Sequence, residues 1–181
     1  GFDLAVPLAR ARAMRNDRLP GARSVQAPVL RDEDLAGLWS AIRYEKGQVL
    51  LAMAEGWLGA EAFRGTLHRY LERHAWGHAG SADWQDALAA ADPGLAATLP
   101  AWIREPGIPL LQVQLQCDAG PPRLALSIAP LRLLGTAAAG PAPRWRLPLR
   151  VRTPAGETRL LLGGDEGATA TLALPDTGCP A

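Results

Sequence analysis

Lysine is almost absent from this 181-residue chain: Lys46 is the only one, and arginine supplies the rest of the basic charge. That bias reads as GC-rich coding rather than selection for guanidinium chemistry. Cysteine is nearly as scarce. Cys117 and Cys179 allow at most one disulfide, lack metal-ligand spacing and identify no redox compartment. Neither sign of charge is in excess, with 19 Lys+Arg against 18 Asp+Glu, so nothing draws the chain electrostatically to nucleic acid or to an anionic membrane. No apolar run approaches the roughly 18–20 residues needed to span a bilayer. No secretory signal opens the chain, although Gly1 is no natural initiator and the absence carries no weight. A Gly-x-Ser-x-Gly elbow, a phosphate-binding Gly-x-x-x-x-Gly-Lys-Ser/Thr loop and a His-Glu-x-x-His zinc motif are all missing.

What is present is ordinary in bulk. Hydrophobic residues make up 48% and charged residues 20%, the balance of a globular chain forming one ordinary domain or two small ones. The pattern changes near residue 105. Before it, apolar residues recur at helical spacing; after it come short apolar runs separated by Pro and Gly, which read as strands. The expected fold is therefore α+β: a helical array over residues 1–105, then a small antiparallel β-sandwich over 106–181.

In the first half, residues 4–14 form an opening helix interrupted by Pro7, and residues 16–29 form a loop. Asp32, Glu33 and Asp34 open a helix carrying Leu35, Leu38, Trp39 and Ile42, their negative charge suited to the positive end of its dipole. A stronger helix covers 44–58, with Leu50, Met53, Ala54 and Trp57 on one face and Gly59 as its stop. The next runs from Ala60 towards Gly77. Ser81 reads as an N-cap for a helix carrying Trp84 and Leu88, and Asp92 with Pro93 caps another carrying Leu95, Leu99 and Trp102. In the second half, strands are expected at 110–116, 123–128, 144–152, 159–162 and 168–174. Leu111, Val113 and Leu115 alternate cleanly with Gln112, Gln114 and Gln116. Residues 153–156 and 163–165 read as hairpin turns.

Few groups offer chemistry. His74 and His78 are four apart, but Gly77 interrupts the helix between them and they read as a helix-end and a loop histidine. Trp39, Trp57, Trp84 and Trp102 fall on apolar helix faces and read as core. Arg144, Arg146, Arg150 and Arg152 alternate along one strand and read as a solvated face.

One segment stands apart. Tyr44-Glu45-Lys46-Gly47 opens a strongly amphipathic helix, and from here the chain resembles the zinc aminopeptidases of the aminopeptidase N and leukotriene-A hydrolase type. Leu58-Gly59-Ala60-Glu61-Ala62-Phe63-Arg64 resembles the family's LG-x-E-x-F-R turn, and residues 70–79 resemble its Y-L-x-x-H-x-Y-G-N-A stretch. Residues 81–88 and 102–109 are similar to its T-x-x-D-L-W-x-A-L and W-T-x-Q-x-G-Y-P segments. The likeness spans residues 14–115 in order and fades beyond. Ile108, Glu105, Trp76 and His78 depart from the family's usual residues, which leaves side-chain specificity open.

The resemblance implies peptide substrates and a zinc ion that, held in the full-length enzyme by two His and a Glu, activates water for attack on the peptide bond, with a Glu of the zinc motif as general base. It assigns to Tyr44 the hydrogen bond to the oxyanion of the tetrahedral intermediate. In the family the zinc motif lies upstream of this run, and no such motif occurs between Gly1 and Arg43. The chain then reads as the C-terminal part of a catalytic domain plus the following β-domain, with no metal ligands of its own and with the rest of the catalytic domain as its partner. The alternative is a catalytically inactive relative serving as a scaffold or binding module.

Overall fold

The computed structural model describes residues 2–19, 22–26, 30–34, 41–117, 121–131, 144–153, 156–164 and 167–174. Among the described residues the helices come first: α1 (Phe2–Asp17), α2 (Ala41–Leu58), α3 (Ala60–Arg73), α4 (Ser81–Ala89), α5 (Pro93–Ala96) and α6 (Leu99–Arg104). The strands follow: β1 (Ile108–Gln116), β2 (Arg123–Leu131), β3 (Arg146–Thr153), β4 (Gly156–Gly163) and β5 (Thr169–Ala173). The fold is α+β, with small antiparallel sheets after the helices. None of the described helices is long and apolar enough to cross a membrane.

The helices stack because each buries one stripe. In α1 the stripe is Ala9, Ala13 and Asp17; in α2 it is Ile42, Lys46, Leu50 and Ala54, every fourth residue in both. Side chains four apart share a helix face, and these two faces meet. The main apolar core lies further along, where Leu88, Leu95, Ala96 and Leu99 close on Ala54. Trp57, Leu58, Phe63 and Trp84 pack against its rim, with Phe63 and Tyr70 both edge-on to Trp84. Leu88 and Leu95 are fully enclosed; burying a leucine is worth about 1.5–3 kcal/mol.

Several expected boundaries move, each for a tertiary reason. Pro7 does not interrupt α1, which runs on through Asn16 and Asp17, residues expected in a loop. A proline in the second turn forfeits a backbone bond, and packing of α1 along α2 sustains the helix. Asp32–Asp34 form only a short 3₁₀ turn, with Asp34 Oδ2 accepting the Leu30 and Arg31 N–H groups at 3.0 Å each. Leu35, Leu38 and Trp39 lie outside the described residues. Ser81 is not the N-cap of α4 but its first helical residue. Gly80 caps, its N–H donating to Asp83 Oδ2 at 2.7 Å, while the Ser81 hydroxyl accepts from Gln26 Nε2 at 3.1 Å.

Asp92 does cap α5. Its Oδ1 accepts the Leu95 N–H at 2.9 Å and its Oδ2 accepts the Trp57 indole N–H at 2.7 Å, tying the C-terminal turn of α2 to the start of α5. Partial burial raises the Asp92 pKa, but the bonds from Trp57, Leu95 and Gly94 outweigh it and leave the carboxyl below its ordinary value of 3.8.

β1, β2 and β5 make one antiparallel sheet in that order, and β3 and β4 make a hairpin. The β1–β2 register sets Val113 opposite Leu126 and Gln112 opposite Ser127, so apolar and polar residues face their like across the pair, but burial does not follow the alternation: Val113 and Leu115 are exposed. Residues 153–156 do close a hairpin, with Thr153 opposite Gly156. Residues 163–165 do not: β4 pairs with β3 and the following β5 pairs with β2, so the glycines carry the chain from one sheet to the other. Gly163 has φ +100°, and a Cβ there would run into the Trp145 carbonyl oxygen and approach Ile128. The Trp145 carbonyl in turn accepts the Gly164 N–H at 3.1 Å.

Two outcomes follow. Gly167 has φ +91° with open space around it, so Gly167→Ala is expected to cost about 1 kcal/mol of backbone strain. Gly163→Ala should cost clearly more, because strain and collision add; urea midpoints of the two variants check the ranking. For Asp92, a folded-state pKa below the unfolded value means its contribution is complete above 3.8 and is lost as pH falls through the folded-state value. Asp92→Asn should flatten that acid limb of the stability–pH curve in urea titrations, and a curve parallel to wild type would contradict the assignment.

Candidate active site

The residues singled out by motif gather at the start of α2. Tyr44 stands in its first turn, and at 58% exposed its ring projects from the helix rather than into the core. Two residues on, Lys46 points the opposite way, as a 200° step around a helix requires. Its ammonium lies 2.7 Å from Asp17 Oδ2, with the two side chains only 5% and 4% exposed. The same ammonium donates to the Glu105 carbonyl oxygen at 3.1 Å, and Asp17 Oδ1 accepts the Gly107 N–H at 2.8 Å. Gly107 has φ +106°, a conformation that suits glycine and turns its N–H into the junction. The end of α1, the first turns of α2 and the α6–β1 turn are thus joined by charge-assisted bonds. Between Tyr44 and Lys46, Glu45 lies 3.8 Å from Arg12, a second and looser link between α2 and α1.

This junction is not evident from local pattern. Lys46 reads as part of the Tyr44–Gly47 motif, although the spacing of Ile42, Lys46, Leu50 and Ala54 sets it on the buried stripe, and Asp17 reads as loop. The signal for Asp17 is the fourfold spacing of Ala9, Ala13 and Asp17, which continues α1 by one turn.

The far end of α2 is also held. Arg150 and Arg159, from β3 and β4, donate to the Gly56 and Trp57 carbonyl oxygens, the latter at 2.7 Å. Positive charge at a helix C-terminus satisfies its free carbonyls and complements the dipole. Glu157 bridges Arg150 at 3.1 Å, Arg152 at 3.0 Å and Arg159 at 3.3 Å. The hydrogen bond from Arg152 is the main cause that holds its carboxyl below the usual range, reinforced by Arg159 and Arg150. Arg144, Arg150 and Arg152 are exposed, as the expected solvated face requires, and Arg150 in addition docks the hairpin on α2. Trp102 adds a third tie, its indole N–H donating to the Arg146 carbonyl at 3.0 Å.

The other candidates stay apart. His68 pairs with Glu72 at 3.0 Å on the exposed side of α3. His74 ends α3 with its ring tilted at 50° against Tyr70 and Nε2 3.9 Å from Asp83 Oδ1, and His78 lies exposed in the following loop. Among the described residues no three His, Cys, Asp or Glu side chains come together as a metal set. These residues do not fit a zinc ion. Of the tryptophans, Trp57, Trp84 and Trp102 are half-buried and Trp145 is buried, whereas Trp76 is fully exposed at φ 60°. Cys179 lies outside the described residues.

Residues 4–102, more than half of the chain, match the Peptidase family M1 domain. The chain belongs to that family, one of zinc-dependent aminopeptidases. It is 28% identical over 151 residues to tricorn protease-interacting factor F2 of Thermoplasma volcanium, covering 83% of this chain and 18% of that protein. It is 33% identical over 104 residues to alanine/arginine aminopeptidase of Saccharomyces cerevisiae, covering 57% and 12%. Aminopeptidase N of Lactococcus lactis subsp. cremoris matches at 32% over 108 residues, covering 59% and 13%. The chain thus spans less than a fifth of the length of these curated relatives.

Removing one partner of a buried ion pair strands the other charge in low dielectric, at about 3–5 kcal/mol. Lys46→Met should destabilise the protein by that order. The Asp17→Asn/Lys46→Met double variant, with no buried charge left, should recover most of the loss. Chemical denaturation of the three proteins decides, and a double variant no more stable than the single one would contradict the pairing.

Proposed function

We propose that this chain is part of a zinc-dependent aminopeptidase that removes N-terminal residues from peptides, with residues 1–105 closing its catalytic domain and residues 106–181 forming the β-sandwich-like domain that follows. The zinc is held by residues other than those described here, and when bound it supplies an activated water. This chain contributes Tyr44. The observation that carries the reading is the placement of that residue: an exposed phenol on the first turn of α2, inside the motif run Tyr44–Gly47, with the helix anchored on its opposite side.

Attack on a peptide carbonyl turns its oxygen into an oxyanion. A phenol is neutral at pH 7 and donates one hydrogen bond, and a donor already aimed at developing charge stabilises the transition state more than the ground state. Fixed on a helix start rather than on a free loop, Tyr44 requires little reorganisation when the charge appears. The family match over residues 4–102 and the linked motifs support this reading.

Tyr44→Phe in the full-length enzyme is the test. It removes the hydroxyl and keeps the ring, so kcat is expected to fall by about 10²–10³-fold with KM little changed. Stability should shift by less than about 1 kcal/mol, because the phenol is largely exposed. Near-wild-type turnover would overturn the role of Tyr44. An upstream sequence without a His-Glu-x-x-His motif would favour the inactive scaffold instead.

A further inference from the structure

We propose that Asp17 and Lys46 are positioning residues for Tyr44: their buried pair sets the rotation of α2 about its axis and thereby the direction in which the phenol points. The inference rests on the reading of Tyr44 as a hydrogen-bond donor to substrate, and adds what holds it there.

The geometry leads to this in three steps. Tyr44 is flanked on α2 by Ile42 and Lys46, both buried, so the orientation of the exposed ring follows the seating of those two side chains. Ile42 is held by apolar contact, which tolerates rotation. Lys46 is held by directional bonds to two other segments, Asp17 Oδ2 at 2.7 Å and the Glu105 carbonyl at 3.1 Å, while Asp17 itself is fixed by the Gly107 N–H at 2.8 Å. A buried ion pair adds little net stability over neutral residues of similar volume, because desolvation cancels most of the attraction. What it adds here is a fixed orientation.

The lever is long enough to matter. With side chains included, a helix has an outer radius of about 5–6 Å, so a rotation of roughly 10° moves a group at its surface by about 1 Å. A displacement of that size is enough to cost on the order of a hundredfold in rate. The pair touches neither substrate nor the reacting atoms and acts through Tyr44 alone.

The test is a kinetic cycle in the full-length enzyme: Asp17→Asn/Lys46→Met, Tyr44→Phe, and the triple variant. The Asp17→Asn/Lys46→Met enzyme is expected to melt near wild type and to show kcat reduced by about a hundredfold with a smaller change in KM. Its backbone amides at residues 41–47 should exchange faster with solvent. In the Tyr44→Phe background the same pair of substitutions should cost nothing further. Asp17→Asn alone, which keeps volume and an acceptor for the Gly107 N–H but strands the Lys46 ammonium and so melts lower, is the second variant; assayed well below its melting temperature it should show the same coupling. Wild-type kcat in the pair variant, with Tyr44→Phe impaired, overturns the proposal and leaves the Tyr44 reading standing. Equal losses in both backgrounds, or activity lost only in proportion to unfolded protein, overturn it as well. Should neither variant fold, the pair is a folding element and the proposal falls. Wild-type turnover in Tyr44→Phe would instead remove the reading on which it rests.

Discussion

The buried ion pair between Asp17 and Lys46 is the contact on which the helical part of the molecule turns. It joins residues 29 apart in sequence and, through Glu105 and Gly107, reaches the turn where helices give way to strands. Charges buried this deeply are tolerated only when their hydrogen-bonding capacity is largely met. Here the carboxylate accepts from an ammonium and an amide, and the ammonium donates to a carboxylate and a carbonyl. Because each bond is directional, the three segments have little freedom relative to one another. The chain's only lysine is therefore an interior residue, in contrast to the usual placement of lysine in water.

Helix α2 is held at both ends by different physics. At its start the main link to α1 is ionic and buried. At its end, arginines from the β3–β4 hairpin cap free carbonyls in a partly solvated setting, and Trp57 donates to the cap of α5. Between them lies an apolar stripe that merges with the Leu88–Leu95–Leu99 core. A motif placed on such a helix has its direction set by contacts on the opposite side and beyond both ends. That is how a fold presents one exposed tyrosine without enclosing it.

Membership of peptidase family M1 fits this division of labour. In the proposed enzyme this stretch would offer a rigid platform and, through Tyr44, a hydrogen-bond donor. The relatives are several times longer than the region that matches them. In the proposed enzyme the catalytic ion and the bulk of the substrate cleft belong to those further parts, and the strength of α2's anchoring is what lets a distant segment contribute a group with little positional error.

By itself the sequence determined the α+β order, the core residues Leu88, Leu95 and Leu99, the Asp92–Pro93 cap, the strand β1 and, through linked motifs, the family and the candidate Tyr44. All of these are local: period, cap and motif lie within a few turns of chain, where neighbours in sequence are neighbours in space. The tertiary structure decided what is made at a distance. Asp17 reads as a loop residue until Lys46 is seen to need a counter-charge. The glycines at 163–164 read as a hairpin until β5 is seen to pair with β2, and Arg150 reads as one more surface charge until the end of α2 comes within reach of its guanidinium. In each case the deciding partner lies tens of residues away and is chosen by desolvation and hydrogen-bond direction, neither of which leaves a periodic trace in the sequence.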